Sequence, residues 1–152
     1  MKLFGALALT LTLAASAQAA QPQITVVLPW TRPAVAGTNG VGYMTLNNET
    51  KAADTLVKVE SPLAGRIEMH SMSMAGGVMS MAHQDRVAVP ACGEVAFAPG
   101  AYHLMLIGLT RTVKPGDQIP ATLTFASGRK IKIVLPALIK APEPLDHHPA
   151  CR

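Results

Sequence analysis

The sequence contains little charge and few aromatic side chains. Only 14% of its residues are charged and 4% are aromatic, and the formal net charge is +4 at pH 7. Because the lysines and arginines are not clustered, the composition argues against nucleic-acid binding. Beyond residue 19, no apolar run approaches the roughly 20 residues that a membrane-spanning helix needs. We therefore do not expect an integral membrane protein.

Cysteine is also scarce, and no catalytic constellation is visible. The chain has two cysteines, Cys92 and Cys151, and they do not form the C-x-x-C pair used in thiol–disulfide exchange. No nucleophile–base pair and no group of carboxylates points to catalysis. The sequence therefore predicts a binding protein rather than an enzyme.

Residues 1–19 are typical of a secretory signal peptide. Lys2 supplies the positive charge, Leu3–Ala15 is almost wholly apolar, and Ala17 and Ala19 are the small residues that a signal peptidase recognises. The alternative, a membrane-anchoring helix, fits less well because the apolar run is too short. We expect cleavage after the last of these alanines and export to the periplasm.

Nearly all of the remaining chain is predicted to be β-structure. Twelve prolines and twelve glycines interrupt it at short intervals, and helix signals are nearly absent. This spacing favours one antiparallel β-sandwich domain over residues 20–140, followed by a flexible tail over residues 141–152. The candidate strands are Ile24–Leu28, Val41–Asn47, Leu56–Glu60, Arg66–Met74, Val78–Val89, Glu94–Phe97, His103–Leu109, Gln118–Phe125 and Lys130–Leu135.

Methionine is frequent, and it is concentrated in one predicted hairpin. All eight methionines except Met1 and Met44 lie within the segment 69–105. Alternate residues of a strand share a face, and Gly76-Gly77 suits a tight turn with positive φ. With this turn at the centre, the residue numbers of two cross-strand partners add up to 153. One face of the hairpin should then carry three pairs, namely His70 with His83, Met72 with Met81, and Met74 with Met79.

A second segment distinguishes a metal site from a hydrophobic face that happens to use methionine. His103 and Met105 alternate in the same way and would present imidazole and thioether together. Thioether sulfur is soft and uncharged, so it binds copper(I) well and hard or borderline ions poorly. Zinc sites use thiolate, imidazole and carboxylate rather than thioether, and calcium sites use oxygen ligands. The sequence therefore predicts a copper(I) site formed by imidazole and thioether groups of these two segments.

The spacing of these residues resembles that of a known family. His70, Met81, His103 and Met105 reproduce, without a gap, the H-x10-M-x21-H-x-M signature of the PCu(A)C family of periplasmic copper chaperones. The resemblance spans roughly residues 24–135. Flanking segments that share it are Trp30–Arg32, Tyr43–Asn48, Gly76–Met79 and Gly100–Met105.

This resemblance implies a cupredoxin-like antiparallel β-sandwich with Greek-key connections. One copper(I) ion would be held by His70, Met81, His103 and Met105. A monomeric chaperone would deliver it to respiratory oxidase assembly, in particular to the Cu(A) centre of cytochrome c oxidase. Its partner would be subunit II of that oxidase or another oxidase-assembly copper protein. Four hairpin residues lie outside the signature and are interpreted as supporting or metal-receiving residues, the alternative being that one of them binds metal: Met72, Met74, Met79 and His83.

Two other copper functions are alternatives. A periplasmic copper-buffering or copper-resistance protein without an oxidase client could have the same site. A blue-copper electron carrier needs a cysteine thiolate beside two histidines. Cys92 lies eleven positions before His103, and no loop with closely spaced cysteine, histidine and methionine follows, so this alternative is disfavoured.

The cysteines and the tail depart from the family pattern. Cys92 falls in a turn where we expect glycine, and export favours a bridge to Cys151. Free or intermolecular thiols are the alternative. In the tail, His147 and His148 could bind copper(II), the alternative being a disordered segment without a metal.

Overall fold

The computed structural model describes residues 23–144 and Cys151. Every regular element in this part of the chain is a β-strand, as the sequence predicts. No helix there has the length and hydropathy to cross a bilayer. The predicted signal peptide, His147 and His148 lie outside the described residues. The strands are β1 (Ile24–Thr31), β2 (Gly40–Asn48), β3 (Asp54–Glu60), β4 (Ala64–Ala75), β5 (Val78–Gln84), β6 (Val87–Val89), β7 (Gly93–Phe97), β8 (His103–Leu109), β9 (Gln118–Phe125) and β10 (Lys130–Pro136).

The strands form two antiparallel sheets. The 6-stranded sheet has the order β1-β2-β8-β4-β5, with β7 also paired to β2, and the 4-stranded sheet has the order β10-β9-β3-β6. Consecutive strands repeatedly cross from one sheet to the other, which closes the sandwich. The predicted all-β, cupredoxin-like sandwich is confirmed.

Alternation along the strands places apolar side chains between the sheets. In β9, every second residue is buried (Ile119, Ala121, Leu123 and Phe125) while the residues between them are more exposed. In β8, Leu104 and Leu106 point into the same core. Each such side chain contributes about 1.5–3 kcal/mol when it is fully buried. This core fixes the strands, and the other face of the 6-stranded sheet is left to carry the polar and sulfur-containing residues of β4, β5 and β8.

Strand β1 continues beyond its predicted end at Leu28. Leu28 has a φ of 45°, and the pairing with β2 shifts register between Val27 and Trp30. Such an irregularity lets a strand pass a proline, here Pro29, which has no N–H to give to the ladder. Trp30 is buried and packs against Tyr43, with ring centroids 4.7 Å apart.

The single strand predicted over Val78–Val89 is wrong. The chain leaves the 6-stranded sheet after β5, and β6 pairs with β3 in the other sheet. Val87 and Val89 are buried in the core, whereas β5 is exposed along almost its whole length. The charged pair Asp85-Arg86 lies at the break, where the chain turns from a solvent-exposed edge to the interior.

The structure joins Cys92 and Cys151 in a disulfide, as the sequence predicts. Cys92 has a φ of 51°, in the left-handed region that favours glycine, which agrees with the glycine expected there from the family pattern. Its backbone N–H donates to the carbonyl oxygen of Thr50 at 2.9 Å. The bridge therefore attaches the C-terminal end of the chain beside the loop that follows β2.

Candidate metal centre

The β4–β5 hairpin has the predicted register. His70 pairs with His83, Met72 with Met81, and Met74 with Met79. Gly76 and Gly77 have φ values of 57° and 77°, as a two-residue turn with both central residues left-handed requires. The hairpin's imidazole and thioether groups therefore lie on one face. On the opposite face, the Ser73 and Ser80 hydroxyls are 2.8 Å apart and hydrogen-bonded.

Strand β8 adds its own ligand types to the same face. Its pairing with β4 places His103 opposite His70 and Met105 opposite Glu68. Since His70 also pairs with His83, three histidines form a row that crosses β5, β4 and β8. The ring centroids of His70 lie 5.7 Å from those of His83 and 5.6 Å from those of His103.

His70 is at the centre of this face and contacts one of the predicted partners directly. Its Nδ1 lies 3.0 Å from the sulfur of Met81. Two donors of one metal ion, with bonds of about 2.0–2.3 Å, are expected roughly 3.5–4 Å apart. The two donor atoms are therefore already closer than a shared ion requires.

Met81 and Met105 lie on opposite sides of the histidine row. Met81 is two residues nearer to the hairpin tip than His83, and Met105 is on the far side, opposite Glu68. Met81 is 52% exposed and Met105 is half-buried. An ion bound by both thioethers would have to lie above the row, over His70 and His103.

Glu68 contacts His70 and was missed by the sequence analysis. One carboxylate oxygen lies 3.0 Å from Nε2 of His70, and the other accepts from Nε of Arg66 at 2.7 Å. These two hydrogen bonds, that of Arg66 first, lower the pKa of Glu68, so the carboxylate is charged at neutral pH. A charged acceptor at Nε2 keeps the ring proton there and leaves the Nδ1 lone pair facing Met81. The strand alternation that links His70 to Met72 also includes Glu68, and this signal could have identified it.

His103 is the most buried of the four predicted ligands. Only 4% of its surface is exposed, and Nδ1 lies 3.5 Å from the carbonyl oxygen of Ala101. Burial lowers its pKa; the Ala101 carbonyl opposes this shift and the neighbouring His70 adds to it. His103 is therefore neutral at pH 7, the form that a metal needs. With its proton on Nδ1, directed at the Ala101 carbonyl oxygen, the His103 ring has a free lone pair on Nε2, and Nε2 is the atom that would bind a metal.

His83 belongs to a cluster of harder donors at the edge of the face. One donor atom each of Glu68, His70 and His83 lies within 4.8 Å of the others. Nε2 of His83 is also 3.1 Å from a carboxylate oxygen of Asp85. Carboxylate and imidazole are harder donors than thioether. The face therefore changes from soft donors at the hairpin tip to harder donors near the middle of β4.

Comparison with known proteins gives the same family from sequence and from fold. Residues 24–137 match the family described as "Putative lipoprotein LpqE-like". The protein Lxx21020 of Leifsonia xyli subsp. xyli is 27% identical over 128 residues, which cover 82% of this chain and 76% of the relative. The copper-bound PCuAC domain from PmoF2 is 25% identical with a TM-score of 0.64, covering 82% of this chain and 97% of that domain. The solution structure of Cu(I)-bound DR1885 from Deinococcus radiodurans is 27% identical with a TM-score of 0.55, covering 82% and 83% of the two chains.

Proposed function

Because the chain belongs to the LpqE-like (PCuAC) family, we propose that it is a copper(I) metallochaperone of the periplasm. In this proposal it delivers copper to respiratory oxidase assembly, and the Cu(A) centre of cytochrome c oxidase is the destination. The disulfide supports a place outside the cytoplasm, because such bonds persist in oxidising compartments.

One observation carries the proposal: two imidazoles and a thioether meet on one face of the 6-stranded sheet. His70 lies 3.0 Å from the sulfur of Met81 and stacks edge-on to the buried His103. Neutral nitrogen and thioether donors favour copper(I), and they avoid the thiolate that an oxidising compartment would convert to disulfide. Two relatives of known structure are described as copper-bound or Cu(I)-bound.

The proposed ligands are His70, Met81, His103 and Met105, and they differ in how easily a partner protein could reach them. His103 is buried and Met81 is 52% exposed. A transferred ion has to exchange ligands one at a time, and the most exposed ligand is the one that an incoming ligand can replace first. We therefore assign Met81 as the ligand that leaves first and His103 as the one that holds the ion until last.

The ligand assignment is tested by separating the two oxidation states of copper. Met81→Leu and Met105→Leu keep apolar volume but remove the sulfur, so each should weaken copper(I) binding by more than tenfold, roughly 1.4 kcal/mol or more. Copper(II) binding should change little, because thioether contributes little to it. Chelator competition under anaerobic conditions measures the first, and a copper(II) titration measures the second. Equal losses for both ions would contradict the assignment.

Delivery is tested by mixing the copper(I)-loaded chain with the apo soluble domain of oxidase subunit II. Copper should be recovered with the acceptor after the two proteins are separated. The matched control is the same amount of copper(I) supplied by a small chelator of equal affinity, which should transfer more slowly. If the copper stays on the chain, or if the chelator delivers it equally fast, the protein is a buffer rather than a chaperone.

A further inference from the structure

The tip of the β4–β5 hairpin carries thioethers that the four-ligand site does not use. Met74 is 68% exposed and Met79 is 57% exposed, and Met72, two positions further from the turn, is half-exposed. By contrast, Met44 and Met69 are buried in the core at 2% and 5% exposure. Burial of apolar surface explains the core methionines, but it gives almost no stabilisation to side chains that remain in water.

The register brings the tip sulfurs within reach of one another. In a two-residue hairpin the pair next to the turn, here Ala75 with Val78, is the hydrogen-bonded one. Pairs then alternate, so Met74 with Met79 is a non-hydrogen-bonded pair, in which the α-carbons are about 4.5 Å apart and the side chains are closest. Met72 follows Met74 on the same face. Two sulfurs bound to one ion are roughly 4 Å apart for bonds of about 2.3 Å, and three flexible thioethers can adopt that spacing.

The polar contacts around the tip hold this arrangement without using the sulfurs. The Ser73–Ser80 hydrogen bond ties the two strands on the opposite face. The backbone N–H of Met72 donates to the carbonyl oxygen of Ala101 at 3.2 Å, which fixes the base of the tip against the segment leading into β8. Glu68 and His83 lie further along the hairpin, so no charged group of the cluster described above competes for these thioethers.

We propose that Met72, Met74 and Met79 form a second copper(I) site at the hairpin tip, weaker than the four-ligand site and separate from it. Three neutral thioethers and no imidazole or charge make a soft, weak and exposed donor set. Met72 of this site is the direct cross-strand partner of Met81. The tip site stands on hairpin geometry alone; its role in passing copper to His70 and Met81 rests on the proposed function.

The test is an anaerobic copper(I) titration of the full chain against chelators of graded affinity, with the methionine methyl groups followed by NMR. The wild-type chain should bind two equivalents, and the Met74 and Met79 methyl signals should shift only with the weaker one. The double variant Met74→Leu with Met79→Leu keeps the apolar volume and should weaken the second equivalent at least tenfold while the first is unchanged. Val78→Leu, a change at an equally exposed tip residue, is the matched control and should change neither.

Each other outcome is informative. A single equivalent bound with unshifted tip signals overturns the second site and leaves the proposed function intact. A second equivalent that survives in the double variant also overturns it. His103→Gln should weaken only the tight equivalent; if the weak equivalent is lost with it, the tip is part of the four-ligand site and the proposal is wrong. If a variant keeps both equivalents but transfers copper more slowly to the subunit II domain, the tip is a contact surface for the partner instead.

Discussion

His70 offers its two ring nitrogens to different partners, and this division decides which one can bind a metal. Glu68 holds Nε2 at 3.0 Å, while Nδ1 faces the sulfur of Met81. A carboxylate behind a metal-binding imidazole fixes the tautomer and the ring orientation. In the proposed copper site, Glu68 is therefore a positioning residue that acts through His70.

Removing this carboxylate should weaken copper(I) binding without removing a ligand. Glu68→Ala frees the His70 ring to rotate or change tautomer, and a loss of about 10–100-fold in copper(I) affinity is typical for such a partner. In Glu68→Gln the amide oxygen can still accept a hydrogen bond from Nε2–H of His70, so this variant should lose less copper(I) affinity than Glu68→Ala. Chelator competition measures both variants, and Glu94→Ala, at an exposed position of β7, is the control. Unchanged affinity in Glu68→Ala would show that the contact has no positioning role.

His103 makes the stability of the metal-free protein depend on pH. Its pKa is lowered in the folded chain, chiefly by burial, so the unfolded chain takes up a proton at higher pH than the folded one. Folding is therefore most favoured, as far as His103 is concerned, above the pKa of about 6.5 that histidine has in the unfolded chain. This contribution to the free energy of unfolding is lost as the pH falls from there through the folded-state pKa. The contribution of His103 to the slope of the free energy of unfolding against pH should be at most about 1.4 kcal/mol per pH unit, the limit for uptake of one proton.

Urea unfolding of the metal-free protein at several pH values measures this slope. His103→Gln cannot take up the proton, so its stability should fall less steeply than that of the wild type between about pH 7 and pH 5. Parallel curves for the two proteins would mean that burial of His103 does not control the acid sensitivity. A comparison of slopes is needed because other carboxylates and histidines titrate in both proteins.

The hairpin turn sets the alignment of β5 on β4, and with it the approach of Met81 to His70. Gly76 has a φ of 57°, and a Cβ at this position would meet no atom within 4 Å. Alanine there is therefore penalised only by the left-handed backbone, by about 1–2 kcal/mol. Asparagine tolerates this conformation and is the usual residue at the first position of such a turn.

Gly76→Ala should therefore destabilise the hairpin, and Gly76→Asn should not. Hydrogen exchange of the β5 amides is the measurement, because opening of an edge hairpin need not change global unfolding. About a tenfold loss of protection is expected for each 1.4 kcal/mol in the alanine variant, together with weaker copper(I) binding. Equal protection in the two variants would mean that the turn does not determine the alignment.

Local patterns were sufficient to predict the hairpin, and long-range contacts limited the other predictions. The Gly76-Gly77 turn and strict alternation gave the pairing of His70 with His83 because both signals lie within sixteen residues of sequence. The switch of sheets after Gln84 depends on pairing between Leu56 and Val87, which no local pattern encodes. Strand alternation places Glu68 on the face of His70, but it was missed because a glutamate in an alternating strand is usually a solvated residue; its contact with His70 shows the difference.

The disulfide and the face that carries the proposed copper ligands lie at different ends of β2. Leu104, next to His103, pairs with Gly42, whereas Cys92 bonds to Thr50 beyond the other end of the strand. From Gly42 to Asn48 the strand extends roughly 20 Å at about 3.4 Å per residue. The bridge should therefore act on the stability of the whole sandwich and not on the metal site.

The double variant Cys92→Ser with Cys151→Ser separates these two roles. The bridge closes a loop with a sequence separation of 59, and the chain-entropy estimate for such a loop is about 4 kcal/mol as an upper value. Urea unfolding should show a loss up to that size, and reduced wild-type protein should match the variant. Copper(I) affinity should be unchanged. A large change in copper affinity would mean that the bridge shapes the metal face as well.

The alternation along β4 also limits how the gene can change in length. Met69 points into the core while His70 points to the metal face, so one codon inserted or deleted inside this strand exchanges the two faces for every residue up to the turn. The same holds in β5, where the side chain of Met81 would be turned to the serine side. Gains or losses of residues between His70 and Met81 can therefore be absorbed only at the turn around Gly76-Gly77. Along this hairpin, single side chains can be exchanged without changing the pairing, whereas the number of residues between His70 and the turn, and between the turn and Met81, is constrained by the pleat of the sheet.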